Sequence, residues 1–206
     1  MKAVLRSGET MTEDKARKGP MPRFGIEHLV YTMMILRGDV RVSRHALAER
    51  LDLGEGSVRS VIRQLKEIGM IDVSRRGVVL TAKGESFLDD LGLLFIPVVS
   101  EKGKGVFLAA TVVKGGADRM GNGMDPLYAA IRAGAEDVSV YVIRNGMMPV
   151  QEYMPDFENG RFDVPVGDNA GEGDAVVLCG SPSERTAKLA AVAACMKGSS
   201  YQLGET

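Results

Sequence analysis

Gly56–Ile71, GSVRSVIRQLKEIGMI, is the stretch from which the rest of the chain can be laid out. Val58, Val61, Ile62, Leu65 and Ile68 recur at helical spacing on one stripe. At about 100° per residue, Arg59, Ser60 and Arg63 fall on the opposite side. Ser57 is placed to cap the start and Gly69 to end the helix. The next residues, MIDVSRRGVVLTAKG (70–84), alternate as two short strands around Arg75-Arg76-Gly77. An amphipathic helix with a basic front therefore leads into a hairpin with a basic tip.

Working outward, Gly25–Leu36 carries Leu29, Met33 and Leu36 on one side and Ile26, Val30 and Met34 beside them, a core helix ended by Gly38-Asp39. His28 lies in it as a packing or surface histidine. Ser43 is the expected cap of a helix Arg44–Leu51, with Leu47 and Leu51 inward. Arg44, near that helix start, could meet a phosphate, and His45 could do the same. Thr81 is the expected cap of Ala82–Leu91, where Phe87, Leu88 and Leu91 are apolar. That last helix closes the unit and leads into the second half of the chain. It is a place for a dimer contact or a coupling element, or simply packing on the first helix.

SRHALAERLDL (43–53), the turn GEG (54–56), SVRSVIRQLKEIGMI (57–71) and VVLTAKGESFL (78–88) together resemble the winged helix-turn-helix family of DNA-binding proteins over Phe24–Leu94. The resemblance implies that the second helix of the motif lies in the major groove and that the hairpin tracks the backbone or the minor groove. On matching positions, Ser57, Arg59, Ser60 and Arg63 would face bases and nearby phosphates, with Arg75 and Arg76 at the wing tip. Arginine suits both tasks, because its planar fork pairs with a guanine edge or clamps a phosphate. Glu67 on the same face would be held away from phosphate, which gives the first turn most weight. Arginines on an amphipathic helix can also serve solvation alone. Here Arg59, Arg63, Lys66, Arg75 and Arg76 outnumber Glu67 and Asp72 on one helix and its hairpin, which favours a polyanion.

The 206 residues suffice for two small domains, and the formal net charge of -1 conceals a division. Up to Leu94 there are 16 Lys plus Arg and 13 Asp plus Glu; from Phe95 onward there are 10 and 14. The acidic second half is a poor nucleic-acid surface. Cys179 and Cys195 are too few for a disulfide framework, and with His28 and His45 they have no metal-ligand spacing. Both thiols are expected in small buried apolar roles. No apolar run is long enough to span a bilayer and the polar start lacks a signal-peptide core, so the expected location is cytoplasmic. Residues 1–23 read as a mobile tail.

From Val98 strands alternate with helices. VFLAATVV (106–113) reads as a buried strand, and Leu93–Ile96 as a buried crossing before Pro97. Asp125-Pro126 opens a helix, Leu127–Ala133, with Pro126 in a first-turn position. SVYVIRNGMMPV (139–150) reads as a hairpin turning at Asn145-Gly146, and Asp156–Val166 as a weaker one. Asp174–Cys179 reads as a strand and Ser183–Met196 as an alanine-rich helix. AIRAGAEDVSVYVIRNGMMPV (130–150) and EGDAVVLCGSPSERTAKLAAVAA (172–194) resemble the C-terminal domain of archaeal two-domain winged-helix proteins without an established role. That resemblance supplies no catalytic residue.

Two loops invite a ligand: Lys114–Arg119 after a strand, and Gly180–Ser183 before a helix. Neither matches a Walker motif, and Ser181 or Ser183 is more simply a helix cap. No histidine lies in this half, and Asp118, Asp125, Asp156, Glu158 and Asp163 have no ordered ligand spacing. The expected fold is α+β: a mobile tail (1–23), a winged helix-turn-helix (24–94), and a small α/β sandwich with a mixed sheet (95–206) for dimerisation or effector sensing. The expected function is a DNA-binding transcriptional regulator, with double-stranded DNA and a second copy as partners and a small effector as a further candidate. No enzyme activity, cofactor, metal or membrane contact is expected. The alternative is a metabolite-binding or enzymatic protein that uses the winged helix as a protein-interaction module.

Overall fold

The computed structural model describes residues 24–39, 41–96, 106–153 and 169–198. The expected tail and the weaker hairpin at Asp156–Val166 lie outside these. Helices α1 (Ile26–Gly38), α2 (Arg44–Leu51) and α3 (Glu55–Glu67) are followed by the hairpin β1 (Ile71–Ser74) and β2 (Gly77–Leu80), then α4 (Ala82–Leu91). This is the order and packing of a winged helix-turn-helix. Ser43 caps α2 by accepting from the Ala46 amide, and Thr81 caps α4 by accepting from Gly84. Asp52, in the left-handed region at φ 53°, opens the short turn into α3. Gly69, at φ 74°, follows the end of α3.

Val58, Val61, Ile62 and Leu65 of α3 are buried. At about 1.5–3 kcal/mol per large aliphatic side chain, this face secures α3 without help from its outer residues. Val42, between α1 and α2, exchanges backbone hydrogen bonds with Val78 of β2 (3.1 and 2.9 Å), so a third short segment joins the hairpin. Arg37 of α1 pairs with Glu85 (3.1 Å) and Asp89 of α4. The apolar residues of α4 are turned inward while Asp89 and Asp90 face out, so α4 is a packing helix, not an apolar contact surface.

The second unit is a five-stranded sheet in the order β3-β4-β7-β5-β6. Its strands are β3 (Leu93–Ile96), β4 (Phe107–Val113), β5 (Asp137–Ile143), β6 (Met147–Tyr153) and β7 (Ala175–Ser181). The expected buried crossing at Leu93–Ile96 is thus an edge strand, with Leu94 exposed. Every pairing is antiparallel, which corrects the expected mixed sheet. Helix α5 (Met124–Arg132) connects β4 to β5, and these two strands do run in the same direction. They are not neighbours, because β7 enters between them and opposes both. The β5–β6 hairpin turns through Arg144–Gly146, with Asn145 and Gly146 both at positive φ (54° and 118°).

One core runs through both units. Helix α6 (Glu184–Gly198) packs on β4 and β7, on α5, and on α1 of the first unit. Contact on three sides explains its composition, since the buried Ala187, Ala190, Ala191 and Ala194 let neighbouring backbones approach closely. Cys179 and Cys195 are free and buried in this core, and burial raises both thiol pKa values, which removes nucleophilic character. At the junction Tyr31 of α1 meets the Phe95 ring edge-on, with centroids 6.0 Å apart. Burial and the nearby Glu184 push the Tyr31 phenol up to about 12. Arg185 donates to the Glu49 carbonyl and lies 3.5 Å from Asp52, so the first turn of α6 touches the turn that connects α2 to α3.

Candidate nucleic-acid interface

The outward face of α3 is built by Gly56, Arg59, Ser60, Arg63 and Glu67, spaced to lie along one side of the helix. Arg59 and Arg63 are exposed. Ser60 is half-buried and donates its hydroxyl back to the Gly56 carbonyl at 3.1 Å, which leaves it acceptor capacity only. Ser57 does not cap α3. The N-cap is Gly54, no side chain caps it, and Ser57 sits half-buried in the first turn on the flank of the face. The reason is local: the turn from Asp52 closes by Gly54, and the Ser57 and Val58 amides bond the Gly54 carbonyl. The helix therefore also begins with exposed Glu55, a second carboxylate near this face.

Arg75 and Arg76 form the two-residue turn between β1 and β2 and are fully outward. Ser74 closes the turn, accepting from the Arg76 amide and donating to the Gly77 carbonyl, both at 3.2 Å. Arg44 is exposed on the first turn of α2. His45 is exposed too, 3.7 Å from Glu49. Sequence reading missed Arg41. It is exposed, and its side chain passes the wing at Gly77, where a Cβ would stand 3.0 Å from Arg41 Cγ and 2.9 Å from the Val42 carbonyl. The only available signal was a β-branched residue, Val42, in a segment otherwise read as a connection.

Charge in this unit is sorted by partner. Arg37, Arg50 and Lys83 are committed, to Glu85 and Asp89, to Asp39, and to the Ile68 carbonyl. Arg41, Arg44, Arg59, Arg63, Lys66, Arg75 and Arg76 have no ion pair with any described residue. Glu49, Glu55, Glu67 and Asp72 are the acidic residues of α2, α3 and the wing, which leaves a basic excess there.

His28 is buried at the start of α1, where its Nδ1 accepts from the Gly25 amide at 3.0 Å. In the second unit the two candidate loops are closed on themselves. Asp174 accepts from the Gly115 amide (2.8 Å), the Gly171 amide (2.9 Å) and Lys114 Nζ (3.0 Å), and Lys114 also reaches the Asn169 carbonyl. Arg119 donates to the Lys114 carbonyl. Ser183 precedes α6 and accepts from the Thr186 amide at 3.4 Å, which is the capping role. Among the described residues no three His, Cys, Asp or Glu side chains converge as metal ligands, and no helix is long and apolar enough to cross a membrane.

Burial raises the Asp174 pKa, but its amide and Lys114 partners outweigh that and hold it below the ordinary value. A depressed folded pKa means stabilisation that is full above the unfolded carboxylate range and is lost as pH falls through the folded value. Asp174→Asn is expected to cost about 1–3 kcal/mol at pH 7, since a charged acceptor is replaced by a neutral carboxamide whose nitrogen cannot accept, so Lys114, Gly115 and Gly171 do not all keep their acceptor. Urea midpoints measured from pH 7 to pH 3 should fall less steeply for the variant than for the native chain. Equal slopes would remove Asp174 as an acid-sensitive tie.

Comparison with known proteins matches each unit separately. Residues 25–86 match the PH0730-like N-terminal domain, and residues 105–197 match a domain of unknown function, DUF4443. Hypothetical protein PH0730 from Pyrococcus horikoshii OT3 has a similar fold, with a TM-score of 0.61 and 22% identity over 84% of this chain and 91% of that one. These similarities support a shared two-domain arrangement like that of the archaeal PH0730 protein, itself uncharacterised. No curated protein matches.

Proposed function

We propose that the chain is a DNA-binding transcriptional regulator that acts as a homodimer in the cytoplasm, with α3 in the major groove and the Arg75-Arg76 turn on the backbone or in the minor groove. The observation that carries this reading is the sorting of cations. Within the first unit Arg37 and Arg50 are paired with carboxylates, whereas Arg41, Arg44, Arg59, Arg63, Arg75 and Arg76 have no carboxylate partner among the described residues. An unpaired cation loses nothing internal when it meets phosphate, and each phosphate neutralised releases counterions. The second unit would dimerise the protein or respond to an effector, and α6 contacts the α2–α3 turn through Arg185.

The test is titration with mixed genomic duplex fragments at two salt concentrations, followed by sequencing of what stays bound. Salt-sensitive retention that enriches a two-fold symmetric sequence supports the reading. No binding at low salt overturns it. The wing makes a separate prediction. Arg75→Ala/Arg76→Ala should weaken specific and unrelated duplexes by a similar factor and lower the slope of log affinity against log salt by about 2, because these residues would touch phosphate. A selective loss at the preferred site alone would place the pair on bases instead.

A further inference from the structure

Helix α5 buries Pro126, Leu127, Ala129 and Ala130 against α6 and the sheet. Its other side is unusual for a surface helix. Tyr128 is 51% exposed and Ile131 36% exposed, and half-buried Met124 lies on the same side one turn before Tyr128. At about 100° per residue, Tyr128 is central, Met124 and Ile131 lie on one flank, and Asp125 and Arg132 lie together on the other. Both charged residues are exposed and have no ion pair with a described residue.

We infer that this face pairs with the same face of a second copy, antiparallel about a two-fold axis at Tyr128. The inference rests on the homodimer part of the proposed function and assigns it a surface. Charge placement selects the occupant. Asp125 precedes Tyr128 by about 4.5 Å of helix and Arg132 follows it by about 6 Å, at 1.5 Å per residue. Rotation about an axis that lies between the two helices and is perpendicular to them keeps each flank on its own side and reverses the direction. Arg132 then meets Asp125 of the partner subunit twice over, and Ile131 meets the partner's Met124. A parallel two-fold pair would instead set the charged flank of each helix against the partner's apolar flank, leaving Asp125 and Arg132 without an opposite charge. Such self-complementarity is what an isologous contact requires. Two nine-residue helices fall short of the ~800 Å² per partner of a standard interface, so the dimer is concentration-dependent.

The experiment is sedimentation velocity on the full chain without DNA, from low micromolar to several hundred micromolar, with circular dichroism on each variant. The native chain should show a monomer–dimer equilibrium. Asp125→Arg alone and Arg132→Asp alone should each raise the dimer dissociation constant at least tenfold, and Tyr128→Glu should give monomer throughout. The double exchange Asp125→Arg/Arg132→Asp should return the constant to within about threefold of native. A native chain that stays monomeric, or single exchanges that do not weaken pairing, or a double exchange that does not restore it, overturns the assignment. DNA is absent, so failure here leaves the nucleic-acid reading standing, and failure of DNA binding leaves this result intact.

Discussion

Arg59→Ala/Arg63→Ala is expected to lower affinity for the preferred duplex on the order of a hundredfold while leaving the fold intact. Each arginine that pairs bidentately with a base edge contributes about 1–3 kcal/mol of discrimination, so the pair together account for a loss of this size. The fold is spared because α3 is held by Val58, Val61, Ile62 and Leu65 on the other side. Neither arginine supports another described residue through an ion pair, and alanine is the better helix former by a few tenths of a kcal/mol. Fluorescence anisotropy with the selected site and an unrelated duplex, at two salt concentrations, separates base reading from phosphate contact. Affinity for the selected site should fall much more than affinity for the unrelated one. An unchanged ratio would remove α3 as the reader of sequence even if the protein binds DNA. Ser57 and Ser60 should matter far less, one standing on the flank and the other bonded back into its own helix.

The features legible in the sequence were those decided locally. The caps at Ser43 and Thr81, the end of α3 near Gly69 and the arginine-tipped hairpin each depend on a few consecutive residues, and each stands as expected. The start of α3 failed because a serine with cap chemistry lay three residues too late, and the turn from Asp52 had already set the helix going at Gly54. The mixed sheet failed for a different reason. Alternating strands and helices imply that β4 and β5 run the same way, but not that they touch. The strand that separates them, β7, comes more than thirty residues later, and no periodicity records that insertion.

The link between the two units left one signal that sequence reading underused. Leu29, Val30, Tyr31, Thr32, Met33 and Leu36 of α1 are all buried, a run too broad for a helix covered on one side. A helix apolar nearly all round needs cover on several faces, and α6 joins α2, α3 and α4 in supplying it. That contact moves the coupling between units away from α4, where the chain connection had suggested it. Arg185 on Glu49 and Asp52 is the side-chain part of the same contact. The exposed arginines were legible as a pattern, but their freedom from partners was not, because it depends on where Asp39, Glu85 and Asp89 lie in space.

Gly84→Val should destabilise the first unit by about 3 kcal/mol or more, the largest stability effect expected of a single substitution in it. Gly84 is the third residue of α4, buried, and its amide donates to the Thr81 hydroxyl at 3.1 Å. A Cβ built there would stand 2.3 Å from the Met70 carbonyl oxygen and 2.7 Å from Leu80 Cδ1. The leucine can turn aside, but the carbonyl cannot. It accepts from the Thr81 amide and is within 3.0 Å of the Thr81 hydroxyl, so moving it dismantles the cap that starts the helix. Alanine supplies the opposing term. Gly→Ala in a helix gains about 1 kcal/mol of propensity, so Gly84→Ala falls short of Gly84→Val and still destabilises if the clash governs. Ser86→Ala, exposed two residues on in the same helix, should stay within about 0.5 kcal/mol of native. Guanidinium titrations of the three variants decide the point. Gly84→Ala at or above native stability would mean that α4 shifts freely over the wing, and the rigid seat assigned to it would be withdrawn. Loss in both Gly84 variants with Ser86→Ala unchanged would locate the constraint at the Met70 carbonyl. Because α4 runs straight into β3, a forced shift of this helix should also lower protection of the β3–β4 pairing in hydrogen exchange, whereas a local defect would leave it unchanged.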